Sequence, residues 1–160
     1  MLEVYIRPDA DAWVLLADAL ALRGVGALPK VERTPQGKPF FSALPGLHFN
    51  LSHTAGWSLC ALSDAPVGVD VEALRPRREG LWRYCLTDGE YAAFLALGGG
   101  WEEFYRLWTL KEAWCKYTGE GLGHPRRWPT PPPCLHRCYA GDGFAAAVCG
   151  EEVPGELMLL

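Results

Sequence analysis

Short apolar runs separated by turn-forming residues make up most of this chain, and their spacing predicts strands. Runs of five or six residues rich in β-branched and aromatic side chains, bounded by glycine, proline or aspartate, are typical of strands. Connections of four residues join the runs between residues 47 and 72, which favours an antiparallel meander. The predicted strands are residues 2–6, 47–52, 57–62, 67–72, 135–139 and 144–149.

Other segments carry apolar side chains at steps of three and four residues, which indicates helices. The clearest covers residues 102–117 and is followed by Gly119, which suits a left-handed helix cap. Thr87 and Glu90 have the spacing of a capping box and mark the start of another helix. Further helices are predicted over residues 12–22, with Asp9 or Asp11 as the N-cap, and over residues 79–84.

Length, charge and hydropathy exclude several classes of protein. A chain of 160 residues is one ordinary domain or two small ones, and 49% hydrophobic residues argue against global disorder. The formal charge of −4 argues against general nucleic-acid binding, which needs a basic surface. No apolar run approaches the ~20 residues of a membrane span, and the start lacks the features of a signal peptide. We therefore expect a cytoplasmic protein that binds neither nucleic acid nor membrane.

Two short motifs carry most of the candidate chemistry. A predicted strand presents Asp70 and Glu72 on one face, while the valines beside them face a core. The clearest helix brings Glu112 and Lys116 to one face, because residues four apart are neighbours on a helix. Mg²⁺ takes oxygen ligands and shares its coordination shell with substrate phosphates, so these residues predict a metal-dependent enzyme acting on a phosphorylated substrate. Each pair alone also fits the solvated face of a strand or helix.

Four motifs in this order resemble the 4′-phosphopantetheinyl transferase superfamily, in its larger branch typified by the surfactin-synthetase-activating enzyme. The resemblance covers the chain from residue 30 to residue 121, and residues 144–149 resemble the family's last strand. The motifs are Gly37-Lys38-Pro39, Phe49-Asn50-Leu51-Ser52-His53, Gly68-Val69-Asp70-Val71-Glu72, and Trp108 to Lys116 with Gly119 and Gly121.

The resemblance implies a fold and a reaction. The fold is α+β, with two similar halves, each a helix plus an antiparallel sheet, packed as a pseudo-dimer with the site in the cleft between them. We take residues 1–74 and 75–160 as these halves, and a monomer is then sufficient. The reaction is the Mg²⁺-dependent transfer of 4′-phosphopantetheine from coenzyme A to a serine of an apo acyl or peptidyl carrier protein, which releases adenosine 3′,5′-bisphosphate. Such an enzyme is a holo-[acyl-carrier-protein] synthase of fatty-acid, polyketide or nonribosomal-peptide synthesis.

By the same resemblance, the motif residues have roles at the site. Asp70, Glu72 and Glu112 would ligate Mg²⁺, which grips the pyrophosphate of coenzyme A. Glu112, or a water that it holds, would be the base for the serine proton, and Lys116 would lie beside the phosphates. The other implied contacts with coenzyme A are Lys38 at its nucleotide end, and Ser52 and His53 on its 3′-phosphate side.

The start of the chain departs from this branch of the family. Relatives usually carry a longer region before the motif at residue 37, and Trp13 stands roughly where a basic residue is expected. Two alternatives to transfer therefore stay open. One is a catalytically weak or inactive module that binds coenzyme A or a carrier protein, and the other is a metal-dependent phosphohydrolase. Transfer ranks first because Asp70, Glu72 and Glu112 are all present.

Overall fold

The computed structural model of the chain describes residues 1–121 and 123–160. Helices and antiparallel strands follow one another along the chain, so the predicted α+β class is confirmed. None of the helices in these two ranges is both long enough and apolar enough to cross a membrane. The elements are β1 (Leu2–Pro8), α1 (Ala12–Leu22), β2 (Val31–Arg33), β3 (Pro39–Phe41), β4 (His48–Thr54), β5 (Trp57–Ser63), β6 (Gly68–Ala73), α2 (Leu81–Cys85), α3 (Asp88–Ala96), α4 (Trp101–Thr118), β7 (His136–Gly141), β8 (Phe144–Cys149) and β9 (Met158–Leu159).

The first sheet has the strand order β4-β5-β1-β9. β5 is antiparallel to both β4 and β1, and the short β9 is parallel to β1. One face of this sheet is covered by α1, whose N-cap is Asp11, one of the two predicted candidates. The Asp11 carboxylate accepts hydrogen bonds from the backbone N–H groups of Trp13 and Val14, which would otherwise lack a partner at the start of the helix.

The second sheet has the strand order β6-β8-β7, and α4 packs on one of its faces. The helix α4 ends at Gly119, whose left-handed backbone (φ 76°) fits the predicted cap. At the start of β6, Gly68 lies so close to α4 that a Cβ atom there would be 2.1 Å from the carbonyl oxygen of Ala113. The absence of a side chain at this position therefore permits the short distance between helix and sheet.

The two sheets face each other through one apolar cluster, so the layers run α1, first sheet, second sheet, α4. Val69 and Val71 of β6 lie in this cluster together with Val4 and Leu59 of the first sheet. This confirms the prediction that the valines of β6 face a core. Because alternate residues of a strand point to opposite faces, Asp70 and the other acidic residue of the strand point towards α4.

The predicted three-stranded meander is wrong in its third strand. β4 and β5 pair as expected, with Thr54 opposite Trp57, but β6 pairs with β8 and not with β5. An alternating pattern identifies a strand without identifying its neighbour, and β6 buries its valines by facing the first sheet instead of joining it. The strand β6 thus lies within residues 1–74 while its partner lies within residues 75–160, and the division into these halves stays a prediction.

Side chains of β4 take the place of a neighbouring strand along one edge of β6. Asn50, Ser52 and Thr54 are two residues apart and reach the same edge. Their side-chain oxygens accept hydrogen bonds from backbone N–H groups of β6 at 2.8, 3.2 and 3.2 Å respectively. We call these hydrogen bonds the side-chain ladder. The donors, in the same order, are Val69, Val71 and Ala73.

Two lysines donate hydrogen bonds to backbone carbonyl groups at the start of β6. Lys38 Nζ donates to the carbonyl oxygen of Val67 at 3.2 Å, and Lys116 Nζ donates to that of Val69 at 3.0 Å. A buried backbone group without a partner costs about 1–3 kcal/mol. Polar side chains are therefore required here, because no strand in the described part of the chain pairs with this edge of β6.

Loss of a buried acceptor from the side-chain ladder is expected to destabilise the fold. Asn50 is 4% exposed, so Asn50→Ala leaves the Val69 N–H without an acceptor and without water. We expect the free energy of unfolding to fall by about 1–3 kcal/mol, measured by urea denaturation. Thr54→Val is the matched control, because Thr54 is only half-buried and water can replace its hydroxyl. An Asn50→Ala loss no larger than that of Thr54→Val would contradict the structural role of the ladder.

Candidate functional site

Asp70, Ser52 and Lys116 form a hydrogen-bonded group where β4, β6 and α4 meet. Asp70 Oδ1 accepts hydrogen bonds from Ser52 Oγ at 2.8 Å and from Lys116 Nζ at 2.8 Å. Lys116 Nζ also lies 3.2 Å from Ser52 Oγ. Asp70 and Ser52 are both buried, so these charge-assisted bonds form in a medium of low dielectric. The structure thus brings together three residues that the motifs predict for the site.

One oxygen of the Asp70 carboxylate has no partner. Asp70 Oδ2 is buried and accepts no hydrogen bond. Among the buried side-chain nitrogen and oxygen atoms of residues 1–121 and 123–160, it is the one without a partner. Most buried polar atoms in folded proteins are paired, so an exception calls for a physical reason. A carboxylate oxygen that is buried beside two further acidic residues has the chemistry of a cation ligand.

The three acidic residues of the motifs all have raised pKa values, and burial is the largest cause for each of them. Burial, followed by the negative charges of Asp70 and Glu72, raises the pKa of Glu112 from the usual 4.5 to about 7, even though the Lys116 charge lowers it. Burial followed by the Asp70 charge also raises the pKa of Glu72, although a hydrogen bond from the Trp108 side chain lowers it. Burial raises the pKa of Asp70 despite its bonds to Lys116 and Ser52. Each of these groups would be stabilised in its ionised form by a nearby cation.

The acidic residues are near one another without forming a closed metal site. Within residues 1–121 and 123–160, no three or more histidine, cysteine, aspartate or glutamate side chains are grouped so that they could hold a metal ion. The residues nevertheless fit a divalent cation, because Asp70 has a free oxygen and the carboxylates repel one another. A cation would bind here with a change in side-chain positions, and the site that Asp70, Glu72 and Glu112 would form is a prediction.

A cavity of about 660 Å³ lies beside this group of residues. Glu112 and Lys116 line it from α4, and Lys38 and the exposed His53 line it from the first half of the chain. Glu72 lines a different and smaller cavity of about 240 Å³, whose other walls are mostly aromatic and aliphatic. Of the predicted contacts to coenzyme A, Lys38, His53 and Lys116 therefore share one cavity, whereas Ser52 is not among its lining residues and Glu72 lines a separate cavity.

Lys38 is already engaged by the backbone. Its Nζ donates to the carbonyl oxygens of Val67 and Tyr117, at 3.2 and 3.0 Å. Burial lowers the pKa of Lys38. The ammonium thus joins the start of β6 to the end of α4, a role that the motif around Lys38 did not predict. Its predicted contact with the nucleotide end of coenzyme A stays a prediction.

A buried ion pair that the motifs did not reveal supports the helix behind Glu112. Lys111 is 1% exposed, and its Nζ donates to Glu90 Oε2 at 2.5 Å and to the carbonyl oxygen of Trp128 at 3.0 Å. Glu90 also accepts a hydrogen bond from Thr87 in the capping box of α3. The capping box was visible in the sequence, but the pairing of Glu90 with Lys111 depends on how α3 packs on α4.

Replacement of Glu112 is expected to stabilise the chain when no metal is present. Because the pKa of Glu112 is raised, the folded chain binds the proton of this carboxyl group more tightly than the unfolded chain does. The free energy of unfolding of the wild type therefore falls as the pH rises from 4.5 through about 7. Glu112→Gln should therefore melt at a higher temperature than the wild type at pH 8 in EDTA, with a smaller difference at pH 4.5. Thermal denaturation at the two pH values measures this. A lower melting temperature for the variant at pH 8 would contradict the electrostatic account.

Comparisons with known proteins agree with the motifs. The family model described as the 4′-phosphopantetheinyl transferase superfamily matches residues 66–148. The 4′-phosphopantetheinyl transferase Sfp of Bacillus subtilis (strain 168) is 36% identical over 171 residues, covering 91% of this chain and 76% of the relative. AcpT of Escherichia coli (strain K12) is 37% identical over 117 residues, covering 70% and 60%. Psf-1 of Bacillus pumilus is 37% identical over 95 residues, covering 58% and 41%.

The matches differ in how much of each protein they cover. The chain spans 41% of the length of psf-1 and of another Bacillus subtilis 4′-phosphopantetheinyl transferase. The family model, in contrast, matches the region that contains β6, α4 and β8, and the match to Sfp covers most of both chains. The chain therefore belongs to the 4′-phosphopantetheinyl transferase superfamily.

Proposed function

We propose that this chain transfers the 4′-phosphopantetheine group of coenzyme A to a serine hydroxyl of an apo acyl or peptidyl carrier protein. The serine oxygen forms a bond to the phosphorus that carries the pantetheine arm. The bond from that phosphorus to the bridging oxygen of the diphosphate breaks, and adenosine 3′,5′-bisphosphate leaves. Membership of the superfamily supports this reaction class.

The single observation that carries the proposal is the free, buried oxygen of Asp70 beside the other acidic residues. Asp70 Oδ2 has no partner, and the Asp70 charge raises the pKa of both Glu72 and Glu112. A reaction between a diphosphate and a hydroxyl needs positive charge near the phosphates. Asp70, Glu72 and Glu112 would hold a divalent cation, Mg²⁺ in our proposal. When bound, it would withdraw negative charge from the diphosphate.

Other residues of the chain have roles in binding and proton transfer. Glu112, or a water that it holds, accepts the serine proton, and a bound cation would keep its carboxyl group ionised and able to do so. Lys116 lines the same cavity as Glu112 and supplies a positive charge for a phosphate. We also assign the binding of coenzyme A to this cavity, with Lys38 and His53 on its walls and Ser52 in the position that holds Asp70.

The proposal extends to the arrangement of the whole chain. Ser52 belongs to the first sheet and Asp70 to the second, so the proposed site uses residues from both sheets. We propose that the two helix-covered sheets act as a pseudo-dimer with the site at their junction, and that a monomer carries out the reaction. The cytoplasmic location expected from the sequence remains part of this proposal.

Mass spectrometry of a carrier protein tests the proposed reaction. We expect an apo carrier to gain the mass of one phosphopantetheine after incubation with this chain, coenzyme A and Mg²⁺, and EDTA to prevent the gain. Asp70→Asn and Glu112→Gln should each slow the transfer by about 100-fold or more, because a cation ligand or the base is lost. Glu102→Gln is the matched control, since Glu102 is an exposed residue of the same helix.

Three outcomes would contradict the assignments. Wild-type rates in a folded Asp70→Asn variant would remove Asp70 from the site. No mass gain on several apo carriers, from a chain with a normal thermal transition, would favour a binding module. Release of adenosine 3′,5′-bisphosphate from coenzyme A without any carrier would indicate a phosphohydrolase.

A further inference from the structure

The ammonium group of Lys116 is bound on three sides by oxygen atoms. Its Nζ donates to Asp70 Oδ1 at 2.8 Å, to the carbonyl oxygen of Val69 at 3.0 Å and to Ser52 Oγ at 3.2 Å. A lysine ammonium has three N–H donors, so all of them are used here. The Lys116 side chain is 30% exposed and lines the cavity of about 660 Å³, whereas the Asp70 side chain is 7% exposed and lies behind Lys116 as its ion-pair partner.

These contacts satisfy only one half of the Asp70 carboxylate. Oδ1 receives two hydrogen bonds, while Oδ2 is buried without a partner. A divalent cation that binds Oδ2 would lie within a few ångström of the Lys116 ammonium. Two positive charges at such a distance in a buried place repel each other strongly. The metal and the ammonium therefore compete for the same carboxylate.

We propose that Lys116 holds the cation position of this site in the metal-free chain, and that a divalent cation displaces its ammonium from Asp70. The inference rests on the proposed cation site. It accounts for the lack of a ready-made metal cluster in the described part of the chain, because the ammonium already neutralises Asp70. The displaced ammonium can move into the cavity of about 660 Å³, because Lys116 lines it.

The exchange gives Lys116 two alternative partners. In the metal-free chain the ammonium is bonded to Asp70, Ser52 and the β6 backbone, and has no donor left for a phosphate. Once a divalent cation takes Asp70, the same ammonium is available to an anion in the cavity. Metal binding would thus prepare the cavity for a phosphorylated ligand, and the two binding events favour each other.

Mn²⁺ binding to the wild type and to Lys116→Gln tests the exchange without any transfer reaction. Loss of the competing ammonium should tighten Mn²⁺ binding at least tenfold, measured by calorimetry and by electron paramagnetic resonance of free Mn²⁺. Lys30→Gln is the matched control for the loss of one positive charge. Its side chain is 78% exposed and pairs with Glu32, so its affinity for Mn²⁺ should stay within twofold of the wild type.

The outcomes separate this inference from the proposed function. Mn²⁺ binding that is equal or weaker in a folded Lys116→Gln variant would overturn the exchange and leave the cation site intact. No Mn²⁺ binding to either protein would overturn both the exchange and the cation site. A carrier that gains no phosphopantetheine, together with tighter Mn²⁺ binding by the variant, would overturn the proposed reaction alone.

A measurement on the wild type keeps the test decisive if the variant does not fold. The rate at which an amine-directed acetylating reagent modifies each lysine is compared with and without Mn²⁺, by peptide mass spectrometry. We expect Lys116 to be modified at least threefold faster when Mn²⁺ is bound, because its ammonium is released from three hydrogen bonds. The modification of Lys30 should not change. An unchanged or slower rate at Lys116 would overturn the exchange.

Discussion

The hydrogen bonds from the β6 backbone to side chains of β4 are the constraint on which both the fold and the site depend. They join the two sheets, between which residues 1–121 and 123–160 form no strand pairing, and they set the register of β6 against β4. A slip of one residue would turn Asp70 and Glu72 away from α4, because alternate residues of a strand face opposite sides. Ser52 belongs to this ladder and also donates to Asp70, so one residue connects the packing of the sheets to the chemistry of the site.

The site places three carboxyl groups in buried or half-buried positions, where their negative charge lowers the stability of the fold. Burial raises the pKa values of all three acidic residues of the motifs, the Asp70 charge adds to this at Glu72 and Glu112, and one buried oxygen of Asp70 has no partner. Such perturbed groups are typical of functional sites, where stability is given up for reactivity. Lys116 offsets part of this cost in the metal-free chain by its three hydrogen bonds.

Local features of the fold could be predicted from the sequence, whereas long-range contacts could not. The capping box at Thr87 and the end of α4 at Gly119 depend on neighbouring residues and are confirmed, and the N-cap of α1 is Asp11, one of its two predicted candidates. The partner of β6 depends on which face it buries, so the predicted meander failed at its third strand. For the site, the motifs name residues that do meet, Ser52, Asp70 and Lys116. They do not show that the Lys38 ammonium binds backbone carbonyls, because a sequence records a charge without its contacts.

Anomalous X-ray diffraction from crystals of the chain grown with Mn²⁺ shows whether the acidic face of β6 is a cation site that Lys116 occupies in the metal-free chain. We expect an Mn²⁺ peak within coordination distance of Asp70 Oδ2, with Glu72 and Glu112 turned towards it and the Lys116 ammonium moved away from Asp70. A peak elsewhere on the chain, or Mn²⁺ at Asp70 with the Lys116–Asp70 hydrogen bond intact, would contradict it.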